Sequence, residues 1–384
     1  MSPSSTKKNG PQVVSKETGS SETTVGVAVN AGSRFGSKGE ALLIKNAAFK
    51  GTAVRSDIKL ARDIDAAGLS VRASGGREQV LFTASGMRGS AGACLAVVAE
   101  AALQPQLKGW HLAEVKKDSV AAELKASSKD AQALLVERIH AAAYGEKSPL
   151  GRTYFVDPTA SALEAHVAAH FVAGNMTLVG AGIDHAELVA SAEALFAGAA
   201  KGGAAAVPAS PFVGGAADLD AASPLTHVAV ALPGAAAGSA DYFTGLVLKE
   251  LLGRAAGPAC SAFSVSYGDS GLVGLYGCCE PSGAGGLAEC MVGALKASAD
   301  DAAVASAKLA VKTQLLVGAE DSGCLAASLA TLGGAFSGCG ASVDGVTTAG
   351  VKAFAANALK ANPAFASVGP SAMLPAHSAL AKMF

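Results

Sequence analysis

Charge of one sign is what this sequence most plainly lacks. It has 30 Lys and Arg against 31 Asp and Glu, a formal net charge of −1. Nucleic-acid binding calls for a Lys/Arg-rich face, so no nucleic-acid partner is expected. Aromatics are scarce, with one Trp and five Tyr in 384 residues. The seven cysteines (Cys94, Cys260, Cys278, Cys279, Cys290, Cys324, Cys339) form no C-x-x-C pair, which removes zinc ribbons, thioredoxin motifs and haem attachment by C-x-x-C-H. Cys278 and Cys279 are adjacent and suit neither metal nor redox spacing. Buried free thiols in a reducing compartment are the expectation. No run of about eighteen strongly apolar residues occurs, although the mean hydropathy of +0.36 is high. The stretches 221–240 and 322–343 carry no Lys, Arg, Asp or Glu, but Gly and Ser interrupt both. We read a chain that does not span a membrane and spends its surplus hydrophobicity on a partner surface. Residues 1–10 (MSPSSTKKNG) hold Ser and Lys without acid, a faint transit-peptide character with no Arg and no amphipathic stripe.

What is present is a module written twice. Half the chain is hydrophobic, enough for a sizeable core, and the length suits two domains. From Thr23 the sequence runs TTVGVAVNAGS, and from Thr226 it runs THVAVALPGAAAGS; both read as a strand closing in a Gly-rich turn. Apolar helices follow over 40–49 and 241–252. Strand pairs are expected at 69–73 with 79–85, and at 263–267 with 272–276. Ala-rich helices come next over 91–103 and 286–298, then long helical stretches over 112–144 and 302–336. The halves close with strands at 176–181 and near 365–368. The expectation is an α+β chain of two homologous domains, 1–200 and 225–384. Each would be an antiparallel sheet with helices on one side, the two facing each other across a cavity. Residues 201–224, within a patternless Ala/Gly/Pro/Ser stretch from 198, would be the linker.

Several segments resemble the M16 metallopeptidase family, which includes the mitochondrial processing peptidase and the core proteins of the cytochrome bc1 complex. Gly32-Ser33-Arg34-Phe35 and Ala48-Phe49-Lys50-Gly51-Thr52 flank the helix that bears the inverted zinc motif H-x-x-E-H in that family. Further matches are Arg77-Glu78-Gln79, His140 to Tyr144 with Pro149-Leu150-Gly151-Arg152, and Asn175-Met176 through Gly180-Ala181-Gly182 to Asp184-His185. Ser261-Ala262-Phe263 with Tyr267 to Leu272 is most similar to the core-2 branch. The resemblance covers nearly the whole chain.

In active members two His four residues apart bind zinc, a Glu beside the second activates water, and a distant Glu completes the ligand set. Counting back from Phe49-Lys50-Gly51-Thr52, the resemblance puts those helix positions at Leu42, Lys45 and Asn46. Leu42 has no donor atom, and Asn46 offers a neutral amide where an imidazole is wanted. Lys45 cannot act as a base while protonated and would repel a dication. The third ligand follows the second His after 76 residues in the family, and 76 residues separate Asn46 from Glu123 here. Glu123 therefore stays while its companions are gone. A carboxylate left alone in a partly buried site is costly, so we expect Lys45 to pair with it. Otherwise Glu123 faces water on a charged helix with Lys116, Lys117, Asp118 and Lys125.

Other candidates are weaker. His166 and His170 stand four apart but lack the Glu and a third ligand, and read as two unrelated histidines on a helix surface. His111, His140, His185, His227 and His377 receive no metal role. Arg34, Arg77, Glu78 and Arg152 read as structural. The Gly-rich segments at 74–76, 202–203 and 214–215 lack the phosphate-loop order. The resemblance places a long glycine-rich loop that holds precursors in the α subunit of the processing peptidase at Gly253 to Pro258; the segment here, between a helix ending near Leu252 and the strand at Phe263, is only about ten residues.

The resemblance thus implies no catalytic, metal-binding or cofactor-binding residue. It implies a core-2-like structural and assembly subunit of the cytochrome bc1 complex (respiratory complex III, ubiquinol–cytochrome c reductase), without haem or iron–sulfur cluster of its own. Such a subunit would sit peripherally on the matrix side of the mitochondrial inner membrane. Its partners would be a core-1-like or β-processing-peptidase-like subunit, cytochrome b and cytochrome c1. The alternative is the non-catalytic α-type subunit of a processing peptidase, with transit peptides as ligands. An active metallopeptidase ranks last, since base and imidazoles are missing.

Overall fold

The computed structural model describes residues 4–6, 11–36, 38–200, 202–203, 206–221, 223–297 and 300–384. Most of the 1–10 stretch lies outside them. The strands run β1 (Ser4–Thr6), β2 (Gln12–Lys16), β3 (Glu22–Val29), β4 (Ser70–Gly75), β5 (Val80–Met87), β6 (Met176–Ala181), β7 (Gly215–Leu219), β8 (Thr226–Pro233), β9 (Cys260–Ser266), β10 (Gly271–Cys279) and β11 (Ala364–Val368). They form two sheets, in the orders β1-β2-β6-β3-β5-β4 and β7-β11-β8-β10-β9. Setting β1 aside, the two orders superimpose strand for strand, so the repeat in the sequence is a repeat of topology.

The sheets are mixed, where antiparallel ones were expected. β2 pairs parallel with β6 and β7 parallel with β11, while the other pairs beyond β1 are antiparallel. The strands that make the sheets mixed, β2 and β7, are short and were not anticipated. β7 falls inside the stretch read as linker.

The helices also differ from a one-sided layer. In the first sheet Val25, Val27 and Val29 of β3 enter a core shared with Leu42, Leu43, Leu95 and Val98, from helices Glu40–Ala47 and Ala91–Leu103. The opposite face is covered too. Ala28 of β3, Val14, Val179 and Ala181 pack on Leu325, Ala326, Leu329 and Ala330 of helix Ser322–Leu332. Small residues on both surfaces let the helix lie close to the strands. Thr24 Oγ1 donates to Ser322 Oγ at 2.8 Å, and Asp321 caps the helix by accepting from Cys324 N–H at 2.6 Å. The second sheet is built alike. Val228, Val230, Val273 and Leu275 face a core with helices Tyr242–Ala256 and Ala284–Leu295. Ala229, Ala231, Ala364 and Ala366 meet Leu135, Ile139 and Ala143 of helix Ala131–Tyr144, capped by Asp130.

Each sheet is thus covered on its second face by a helix from the far half of the sequence. The compact units follow this exchange and are not cut at 201–224. One comprises Met1–Leu124, Tyr154–Pro208 and Leu316–Gly338; the other comprises Lys125–Thr153, Ala209–Leu315 and Cys339–Phe384. Central strands buried on both faces lose period-2 alternation. β3 is buried from its second residue on, whereas the edge strand β4 alternates strictly.

The stretch expected as one helix over 112–144 is broken into Gly109–Val115, a π-helical turn at Lys116–Val120, Ala121–Ser127 and Ala131–Tyr144. Among the described residues no single helix is long and apolar enough to cross a membrane. All seven cysteines are free, yet only Cys94 and Cys260 are buried, while Cys278, Cys290 and Cys324 are exposed. The expectation of buried thiols therefore holds for two of them. Burial pushes the Cys94 thiol up to about 11.

The exchanged helix supplies a test. Leu329 is fully buried against β3 and β6, so Leu329→Ala is expected to destabilise the first unit by about 2–5 kcal/mol in denaturant unfolding. A cost near zero would detach this helix from the sheet.

Candidate functional site

Helix Glu40–Ala47 carries three of the four positions of interest and is fixed at both ends. Gly39 launches it at φ 72°, and a Cβ there would fall 2.6 Å from the Val156 carbonyl oxygen, so only glycine fits. Beyond the last turn Phe49 sits at φ 58°, the one left-handed non-glycine among the described residues. Its ring is held edge-on to Phe82 at 6.2 Å, and packing offsets the backbone strain. The A-F-K-G-T segment thus clamps the helix end.

With the helix set this way, Leu42 is fully buried in the hydrophobic core and offers nothing to an ion. Lys45 and Asn46 reach Glu123 on helix Ala121–Ser127. Lys45 Nζ donates to Glu123 Oε1 in a close ion pair, and Asn46 Nδ2 donates to Glu123 Oε2 at 2.8 Å. Asn46 Nδ2 also donates to the Leu42 carbonyl at 2.9 Å. Both carboxylate oxygens are therefore taken by donors from the facing helix. Lys50 Nζ donates to Ser119 Oγ at 2.5 Å, tying the same two segments again. Ser119 belongs to the π-helical turn just before Glu123; such turns widen a helix locally and recur at functional sites. The pairing expected for Lys45 is thus present, and Glu123 does not stand alone in water. Among the described residues no three His, Cys, Asp or Glu side chains are grouped to hold a metal ion.

The histidine pair differs from the expectation of unrelated surface residues. His166 is buried, His170 is partly so, and their rings lie 4.6 Å apart. His166 Nε2 donates to the Ala31 carbonyl at 3.2 Å, while His170 packs on Phe35 at 5.2 Å. Burial pushes both imidazoles below the ordinary value of 6.5; the hydrogen bond to Ala31 and the charge of Glu40 oppose the shift at His166, and the charge of His166 reinforces it at His170. They serve packing beside the Gly32 turn. Arg34, also buried, donates to Glu78 and, through Nη2, to the Pro208 carbonyl at 2.6 Å, a structural clamp. In the second unit His140 Nε2 and Tyr267 Oη are 2.6 Å apart, a buried bond that the sequence did not signal because 127 residues separate the two. Helix Tyr242–Ala256 runs through the anticipated loop, so only Gly257, Pro258 and Ala259 lead to β9.

Two measurements follow. Both partners are only about a quarter exposed, so Lys45→Met is expected to cost about 1–2 kcal/mol, and adding Glu123→Gln to recover most of it. A fully additive double variant would mean that the pair does not interact. For the histidines, the unfolded chain binds more protons than the folded one below 6.5, so their contribution is complete above that value and is lost as pH falls through it. Urea midpoints of the wild-type chain should drop more steeply over this range than those of His166→Gln/His170→Gln; parallel slopes would remove the assignment.

Sequence comparison places these features in a lineage. Residues 12–155 match the profile of insulinase (peptidase family M16), and residues 158–311 that of the peptidase M16 inactive domain. The chain is 29% identical over 308 residues to mitochondrial-processing peptidase subunit alpha of Solanum tuberosum, a match covering 71% of this chain and 60% of that protein. It is 28% identical over 319 residues to mitochondrial-processing peptidase subunit beta of Neurospora crassa, covering 71% of this chain and 65% of that one. It is 26% identical over 351 residues to cytochrome b-c1 complex subunit 2, mitochondrial, of Mus musculus, covering 82% of this chain and 76% of that one.

Proposed function

Since this chain belongs to the M16 peptidase family, we propose that it is a proteolytically inactive subunit acting by assembly in the mitochondrion. The reading rests on one observation, the capture of both Glu123 oxygens by Lys45 and Asn46. A zinc peptidase needs donors that converge on a cation and a base that takes a proton from water. Here the helix presents a buried methyl branch, an ammonium and an amide already donating. A divalent ion would have to expel a bound ammonium from the one remaining carboxylate.

A member without its own chemistry contributes through surfaces. We place this chain as a core-2-like subunit of the cytochrome bc1 complex, peripheral on the matrix side of the inner membrane and paired with a core-1-like or β-type M16 subunit. Support comes from the likeness to the mouse bc1 subunit, which spans 82% of this chain. A second reading, the α-type partner of a processing peptidase, is favoured by the somewhat higher identity to the potato subunit. The three-residue link from Gly257 to Ala259 counts against it, since the family's α subunits hold precursors with a long loop there.

Zinc analysis and native electrophoresis test this together. The purified chain is expected to hold far less than one zinc after dialysis, and to migrate with a complex showing b- and c-type haem spectra. One tightly held zinc per chain would overturn the inactive assignment. A haem-free heterodimer that cleaves transit peptides would replace the bc1 placement with the second reading.

A further inference from the structure

Away from the Lys45 helix, the second unit contains a cavity of about 450 Å³ among helices Tyr242–Ala256, Ala284–Leu295 and Thr348–Ala358. Leu248, Leu251, Leu252, Leu295 and Val351 line it, with alanines filling the intervals. Among the described residues that line it there is no acidic and no neutral polar side chain. The polar side chains described there are three cations, Arg254, Lys296 and Lys352. This is the size of a small-molecule site.

The cations are only loosely committed. Arg254 donates to Ser306 Oγ at 2.7 Å and lies 3.7 Å from Glu250. Lys296 lies over the Phe384 ring at 5.9 Å. Among the described residues Lys352 has no ion-pair partner. An apolar cavity edged by cations of one sign complements a molecule with an apolar body and one anionic end. Its volume suits one acyl chain better than the two chains and headgroup of a phospholipid. We propose that this cavity binds a single-chain fatty acid, the chain along Leu248, Leu252 and Val351 and the carboxylate among Arg254, Lys296 and Lys352. The proposal does not depend on the assembly role above.

The test is a titration of the full chain with dansyl-labelled undecanoic acid, competed with dodecanoate or with dodecanol. Saturable binding at about 1–10 µM is expected, with dodecanol displacing the probe at least about tenfold less well than dodecanoate. The Lys296→Glu/Lys352→Glu variant should weaken dodecanoate by about tenfold and leave dodecanol unchanged, while Ala355→Trp, which fills the cavity, should abolish both. The charge variant keeps the test valid where the filled one fails to fold. Equal competition by the alcohol, an unchanged affinity after charge reversal, or no saturable binding would each overturn the site. Binding to vesicles of phosphatidylcholine and phosphatidylglycerol that dodecanoate does not displace would likewise overturn it, assigning the cations to a membrane surface.

Discussion

A carboxylate held between two packed helices has to be compensated, and that constraint organises the region around Glu123. Lys45 and Asn46 supply that compensation, donating to one oxygen each. A metal ion would satisfy the same carboxylate with a charge of two and further ligands. The ion pair does so with one charge and one amide, and it needs no base. The helix clamps at Gly39 and Phe49 and the π-helical turn before Glu123 serve this geometry equally well in either chemistry. The scaffold of the site therefore does not by itself decide between the two.

The same economy appears in the sheets. A central strand buried on both faces demands two apolar layers. Here one layer is made of large aliphatics meeting several helices, and the other of alanines and some valines meeting a single helix. Because each close helix comes from the far half of the chain, neither unit is complete as a continuous segment. Mixing large and small residues on the two faces also explains why the hydrophobic run in β3 has no visible alternation. What alternates in it is size, not polarity.

Much of this was legible in the sequence. The strands at 176–181 and the helix at 91–103 lie where periodicity put them, because each is a long, strongly apolar element bounded by turn residues. The repeat was legible because both halves place like residue types in like order. β2 and β7 were missed: strands of five residues, β2 beside the three-residue edge β1 and β7 alternating small residues within a Gly/Ala stretch, carry too little hydrophobic contrast to stand out. The histidine pair was misjudged because spacing along a helix says nothing about which face is covered.

The sequence alone determined which chemical groups are available. A leucine, an ammonium and an amide at three helix positions, with a glutamate after 76 intervening residues, are facts of composition and spacing. They restrict what the helix can bind in any conformation. Only the tertiary structure decided that Lys45 and Asn46 meet that glutamate, that each sheet borrows its second cover from the far half, and that three cations edge one apolar cavity. Those outcomes depend on contacts between residues distant in the chain, and such contacts leave no local period to read.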